Sequence, residues 1–294
     1  MADSNAQADI RGIDIDKIAK GYADEELVMK KYVENSTTSA REIRWYQKTA
    51  GFLDSVDTTA ITASQISNVD FKARPVVVEQ SWTRNTSYIR KYFVESPLIS
   101  EEDIKDSDVD ILMTNVRDLV RAVGRQVDYR IYNVLTENDT PVNIQTLAIT
   151  NEWDDPANAI VIDDIMSCKS KITDYAYNPE GAIFLMRPEV HRYMINWLIS
   201  QKGASIPNFA SQKIETGVVM EILGVRVVTS TIVTSDKAVI FVPQRAATWK
   251  SFSPITSAII EDKGIGSKIR VWEEGEAILT DPKAVVLLTN IGPS

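Results

Sequence analysis

From Ser107 to Glu137 the apolar residues recur in steps of three and four, at Val109, Leu112, Val116, Leu119, Val120, Val123, Val127, Ile131, Val134 and Leu135. That period marks a helix buried along one stripe. Arg117, Arg121, Arg125 and Asp128 fall between the apolar positions and are expected on the wetter face. Ser107 is placed to cap the first turn, where Asp108 and Asp110 suit the helix dipole. Gly124 costs about 1 kcal/mol relative to Ala, which an element of this length absorbs. A helix over 107–136 would span about 45 Å at about 1.5 Å per residue. No regular charge pattern accompanies the stripe, so the spacing predicts a rod against which sheets pack and not a coiled coil. Its core positions would be Leu112, Val116, Leu119, Val123, Val127 and Ile131.

Elsewhere the periods are shorter. Residues 1–22 are polar with scattered isoleucines and read as an arm ordered by its neighbours. Residues 23–33 begin with acids and end with bases, as a short helix should, and 40–49 repeat the theme with Ile43, Trp45 and Tyr46. From Ala50 to Pro97 the character turns to strand: Val76–Val78 form one core, and Ser81–Val94 mix Thr, Tyr, Ile and Phe with charge. Such a hairpin cannot bury itself, since two strands are marginal in water. The chain offers it no obvious partner surface. After the rod come a polar turn region (137–158), a helix (157–173), a buried strand (181–186) and a helix from Pro188 to Ile199. Strands then follow at 218–223, 225–229, 238–242, 258–261, 268–274, 277–279 and 284–290. Helices and strands alternate without a regular βαβ count, so the class is α+β.

Composition removes several function classes. The 294 residues carry a net charge of −9, from 32 basic and 41 acidic side chains. Residues 101–160 hold most of the excess, with 5 basic against 13 acidic. An acidic chain lacks the footprint of a dedicated nucleic-acid binder, although it can enclose nucleic acid without gripping it. One cysteine, Cys168, excludes an internal disulfide framework and a thiolate zinc cluster, and one histidine, His191, excludes a two-histidine metal site. No run reaches the length of a membrane span, and the polar N-terminus is no secretory signal.

The search for chemistry returns little. Gly264-Ile265-Gly266 lacks the third glycine of a phosphate loop and does not lead into a helix. His191 sits on a helix beside Tyr193 and reads as a packed or surface residue. The acid pairs Asp154-Asp155, Asp163-Asp164 and Glu273-Glu274 diverge in direction and are expected on solvated surface. No catalytic, cofactor or metal residue is assigned.

The order of elements resembles the major capsid protein of tailed phages and related archaeal viruses, with the Hong Kong 97-type fold. Tyr92-Phe93-Val94-Glu95-Ser96-Pro97-Leu98-Ile99-Ser100-Glu101-Glu102 is similar to that family's passage from extended loop to spine helix. Phe184-Leu185-Met186-Arg187-Pro188 resembles its apolar strand followed by a helix. Glu221-Ile222-Leu223-Gly224-Val225-Arg226-Val227-Val228-Thr229-Ser230 is similar to its LG-V-P-V strand pair, with Arg226 in place of the proline, and Pro282–Leu288 matches a frequent C-terminal strand. The resemblance implies an N-terminal arm (1–49), an extended loop (50–95), a spine helix and peripheral domain (96–155, completed by 251–294) and an axial domain (156–250).

It further implies a self-assembling, non-enzymatic subunit of an icosahedral virion head, made in the host cytoplasm. Pentamers and hexamers would enclose double-stranded DNA without sequence-specific binding and without a membrane. Portal, scaffolding and decoration proteins are the other expected partners, and no cofactor is expected. In the extended loop, Phe71, Trp82 and Tyr88 would be apolar contacts to a neighbouring subunit, and Lys72, Arg74, Arg84 and Arg90 charged ones. Lys72 lies where some members cross-link covalently, but no asparagine and acid partner can be matched to it. Two rivals stand beside this reading: an encapsulin-type shell enclosing a cargo enzyme, and an α+β metal-independent enzyme using buried carboxylates.

Overall fold

The computed structural model of the chain describes residues 28–50, 70–74, 81–102, 111–200, 221–262 and 264–292. The capping residues Ser107, Asp108 and Asp110, the strand core at 76–78 and the arm before residue 28 lie outside them. The rod is present as α1, Ile111–Leu135, about 37 Å of helix. Val116, Val120, Val123, Val127 and Ile131 are buried, with Leu112 and Leu119 partly buried against the same cluster.

Two sheets meet this helix. A long hairpin of β11 (Ala247–Asp262) and β12 (Gly266–Leu279) carries β1 (Glu34–Thr37) on one edge and β4 (Arg90–Glu95) on the other, with β5 (Ile99–Ser100) also paired to β12. Helix α1 packs across β12, β4 and β11. The second sheet runs in the order β6 (Gln145–Ala148), β13 (Val285–Thr289), β10 (Ala238–Phe241), β7 (Ile183–Met186), β9 (Val225–Thr229), β8 (Glu221–Ile222). Its central strands are apolar at every position because both faces are covered. Ile183, Leu185, Val239, Phe241, Val285 and Leu287 point into the cluster around α1. Phe184, Met186, Ile240, Val286 and Leu288 point into a second cluster under α2 (Val161–Thr173) and α3 (Pro188–Ser200). Strands β6 and β13, from segments attributed above to the peripheral part, belong to this six-stranded sheet.

Three expectations change. Residues 42–50 are a strand, β2 (Glu42–Ala50), and not a helix. Ile43 and Gln47 are buried while Arg44 and Tyr46 between them are exposed, a period of two that overrides the acid-to-base gradient. Residues 28–33, within the other expected short helix, form turns, with Tyr32 N–H donating to the Met29 carbonyl at 3.0 Å. The expected strands 268–274 and 277–279 are one strand that runs through Gly275. A Cβ there would lie 2.7 Å from Cε2 of Trp249, so the missing side chain makes room for the indole.

Candidate functional site

Strand β2 pairs with β3 (Ser81–Tyr88) as an antiparallel ribbon outside both sheets, and its register sorts the side chains onto two faces. Ile43, Trp45 and Gln47, opposite Ser87, Asn85 and Thr83, make up one face. This face is docked on the body, so the chain does supply the partner surface that the sequence hides. Trp45 Nε1 donates to the Leu279 carbonyl at 3.0 Å, and Gln47 Nε2 donates to the same oxygen. Asn85 Nδ2 donates to Gln47 at 2.7 Å, and Ser87 donates to Glu276 at 3.2 Å.

The other face carries Arg44, Tyr46 and Lys48 across from Thr86, Arg84 and Trp82, with Tyr88 at its end. Tyr46, Trp82 and Tyr88 are each more than half exposed. Isolated apolar residues on a surface are ordinary, whereas here three exposed aromatics and two arginines share one ribbon face. Between the ribbon strands in the chain, Phe71, Lys72 and Arg74 are exposed on a turn in which Ala73 N–H donates to the Asp70 carbonyl at 2.8 Å. The structure thus gathers Trp82, Arg84 and Tyr88 on one face and places Arg90 apart. Arg90 spends its charge inside the chain, 3.2 Å from Glu276.

Beside the ribbon lies a groove of about 570 Å³. Tyr46, Lys48 and Trp82 line it together with Tyr175, Tyr177, Arg245, Asp281 and Glu34 of the body. Tyr177 donates to Asp281 at 2.7 Å, Arg245 pairs with Asp281 at 3.0 Å, and the guanidinium stacks 4.3 Å from the Tyr177 ring centre. Burial and then the Asp281 carboxylate push the Tyr177 phenol well above its usual range. Sequence reasoning missed Tyr46, Tyr177 and Arg245; for Tyr46 the alternation at 43–47 was the available signal.

Under the ribbon the charges are buried and paired, against expectation for two of the acid pairs. Glu273 is fully buried and bonded to Lys30. Glu274 is buried and paired with Arg41 at 3.3 Å and Lys91 at 3.6 Å. Glu276, also fully buried, binds Arg130 of α1. Asp164 is buried as the acceptor of Trp153 Nε1 at 2.8 Å, whereas Asp163, Asp154 and Asp155 are exposed. Asp128, expected on the wet face, is buried too: its carboxylate accepts the backbone N–H groups of Val28, Met29 and Lys30 at 2.9, 3.1 and 3.3 Å. Burial pushes this carboxyl up to about 6, while the three donors and Lys30 pull it down. These interactions hold the chain at residue 28 and the base of the ribbon against the rod.

Among the described residues no group of three or more His, Cys, Asp or Glu side chains could hold a metal ion, and no helix is long and apolar enough to cross a membrane. A family model described as phage capsid protein matches residues 98–288. No curated protein sequence matches the chain. Among solved structures, the capsid of the cyanophage P-SCSP1u superposes with a TM-score of 0.66 at 9% identity, covering 91% of this chain and 89% of that one. The virus-like particle from Pyrococcus furiosus gives 0.60 at 11% identity, covering 93% and 97%. The mature capsid of bacteriophage PhiM1 gives 0.62 at 11%, covering 89% and 86%. The shared fold is of the Hong Kong 97 type.

Proposed function

Because the chain belongs to the phage capsid protein family, we propose that it is the major subunit of an icosahedral head built from pentamers and hexamers around double-stranded DNA. Its role is structural, as a shell protein of the virion. The single observation that carries the finer reading is the two-faced ribbon. One face is bonded to its own body, and the other presents Tyr46, Trp82, Tyr88, Arg44 and Arg84, with the three aromatics each more than half exposed among the described residues. Such a surface suits a neighbouring subunit, and repeated contacts of that kind close into rings and shells.

In this reading the five-stranded sheet with α1 is the peripheral part, and the six-stranded sheet with α2 and α3 surrounds the local symmetry axes. The net charge of −9 lets packaged DNA slide along the inner wall instead of sticking to it. Portal, scaffolding and decoration proteins complete the particle, and synthesis takes place in the host cytoplasm.

Replacing Trp82 and Tyr88 together by serine tests the role of the ribbon. The variant is expected to keep the circular dichroism of the parent subunit and to form no closed shells. Normal shells from that variant would refute it. A shell of the same fold around a protein cargo is distinguished by the contents of purified particles, which are DNA on the present reading.

A further inference from the structure

We propose that the row Arg117, Arg121, Arg125 and Tyr129 on α1 is the subunit's contact with the sugar–phosphate backbone of the enclosed DNA. The proposal names the partner of one surface in the shell-subunit reading above, on which it rests. The four residues stand at successive steps of four, so they share one row of the helix surface, inclined by about 26° to its axis. Arg117, Arg121 and Arg125 are exposed and Tyr129 is 47% exposed, outside the buried stripe that runs from Val116 to Ile131. Each step advances about 6 Å along the rod, and the three arginines span about 12 Å. Over that distance one strand of a duplex laid along the rod carries about three or four phosphates. A guanidinium fork meets a phosphate with two parallel hydrogen bonds, and a tyrosine hydroxyl donates to the same oxygens.

The distribution of charge favours this partner. Segment 101–160 holds 13 acids, of which six precede α1 at 101–110 and five follow it at 137–155. The two on α1 are Asp118, which is exposed, and Asp128, which is buried against the backbone of residues 28–30. Arg130 of the same helix is bound to the buried Glu276. The exposed charge of the rod is therefore three arginines less one aspartate, +2, on a chain of net charge −9. Such a row touches DNA at fixed points, and the overall charge keeps the wall from gripping it. Beside the row, Thr114, Ala122 and Gln126 are exposed and small or polar. Among the described residues of this helix face there is thus no apolar centre of the kind that holds a protein segment, whereas interfaces with DNA are polar and positively charged.

The test measures, by fluorescence anisotropy, the binding of a labelled duplex to the unassembled full-length subunit between about 50 and 200 mM salt. The parent is expected to bind with log K falling against log salt at a slope of about −2.7, from three phosphate contacts at about −0.9 each. Arg117→Gln, Arg121→Gln and Arg125→Gln in one chain should keep the circular dichroism, weaken binding about tenfold or more at the lower salt and bring the slope near zero. Lysine at the same three positions should preserve the slope, and Arg44→Gln with Arg84→Gln on the ribbon should leave it unchanged. In particles that hold DNA, ultraviolet light should attach nucleotide to residues 126–130, the tryptic peptide of Tyr129. Equal binding by the parent and the triple glutamine variant, no binding by the parent, or attachment only at other peptides overturns the assignment. Labelled poly-glutamate bound more tightly than the duplex, and released by the same variant, overturns it in favour of an acidic protein partner. All of these outcomes leave the shell reading intact, which falls instead if the parent forms no shells by electron microscopy.

Discussion

The backbone N–H of Met29 and the carboxylate of Asp128, ninety-nine residues apart in the chain, are joined by a hydrogen bond of 3.1 Å. Asp128 lies on the rod, Met29 on the turn that leads into β1, and Lys30 beside it reaches on to Glu273 of the long hairpin. Two residues further along α1, Arg130 holds Glu276, which also takes Ser87 and Arg90. The entry of the chain and the base of the ribbon are therefore fixed to the rod by directional, buried charge. Apolar packing alone would allow either to slide.

This arrangement has a pH signature. The Asp128 carboxyl sits near 6 in the fold, above its ordinary value of 3.8. Between those values the folded state keeps a proton that the unfolded chain has released. The contribution of this group is thus fullest below the unfolded value and is lost as pH rises through about 6. Relative to Asp128→Asn, the parent subunit should lose up to about 3 kcal/mol between pH 4 and pH 7. Urea unfolding of both proteins across that range measures it; parallel stability curves would contradict the assignment.

Arg130→Ala leaves the fully buried Glu276 with fewer counter-charges. Removing one member of a buried pair costs about 3 kcal/mol or more. Glu276→Gln in the same chain should recover part of that loss, because it removes the charge left behind. A double-mutant cycle in denaturant checks both statements, and additive effects of the two changes would show that the pair is not coupled.

Gly275→Ala drives a methyl group into the Trp249 indole and to 3.0 Å from the Lys250 carbonyl. Overpacking of this kind costs about 1–3 kcal/mol. Gly264→Ala, at a turn with φ +80 and open space around it, meets strain from the backbone alone. The melting temperature of the first variant should fall; an unchanged value would mean that the strand is free to shift.

The rod and the apolar strands were legible because their periods are long or their burial is two-sided. Val116 to Ile131 and Phe184 to Met186 leave few alternatives. The order of elements carried the family resemblance. Strand β2 was not legible as a strand because Glu42, Arg44 and Lys48 also fit a helix with the proper charge gradient, and only pairing with β3 decides. The buried carboxylates were hidden for a related reason. A sequence shows Glu273 and Glu276 as charges and does not show Lys30 and Arg130 brought to them from far along the chain. The groove joins residues from six separate stretches of the chain, at 34, 46–48, 82, 175–177, 244–245 and 280–281, which no local pattern announces.

The central claim is that this subunit completes its contacts only in a closed shell of identical copies. Electron microscopy of the purified, unsubstituted protein at high concentration tests it most directly. The account predicts uniform icosahedral particles with five-fold and six-fold clusters of subunits. A population that stays monomeric, with the outer ribbon face still solvent-exposed, would contradict it.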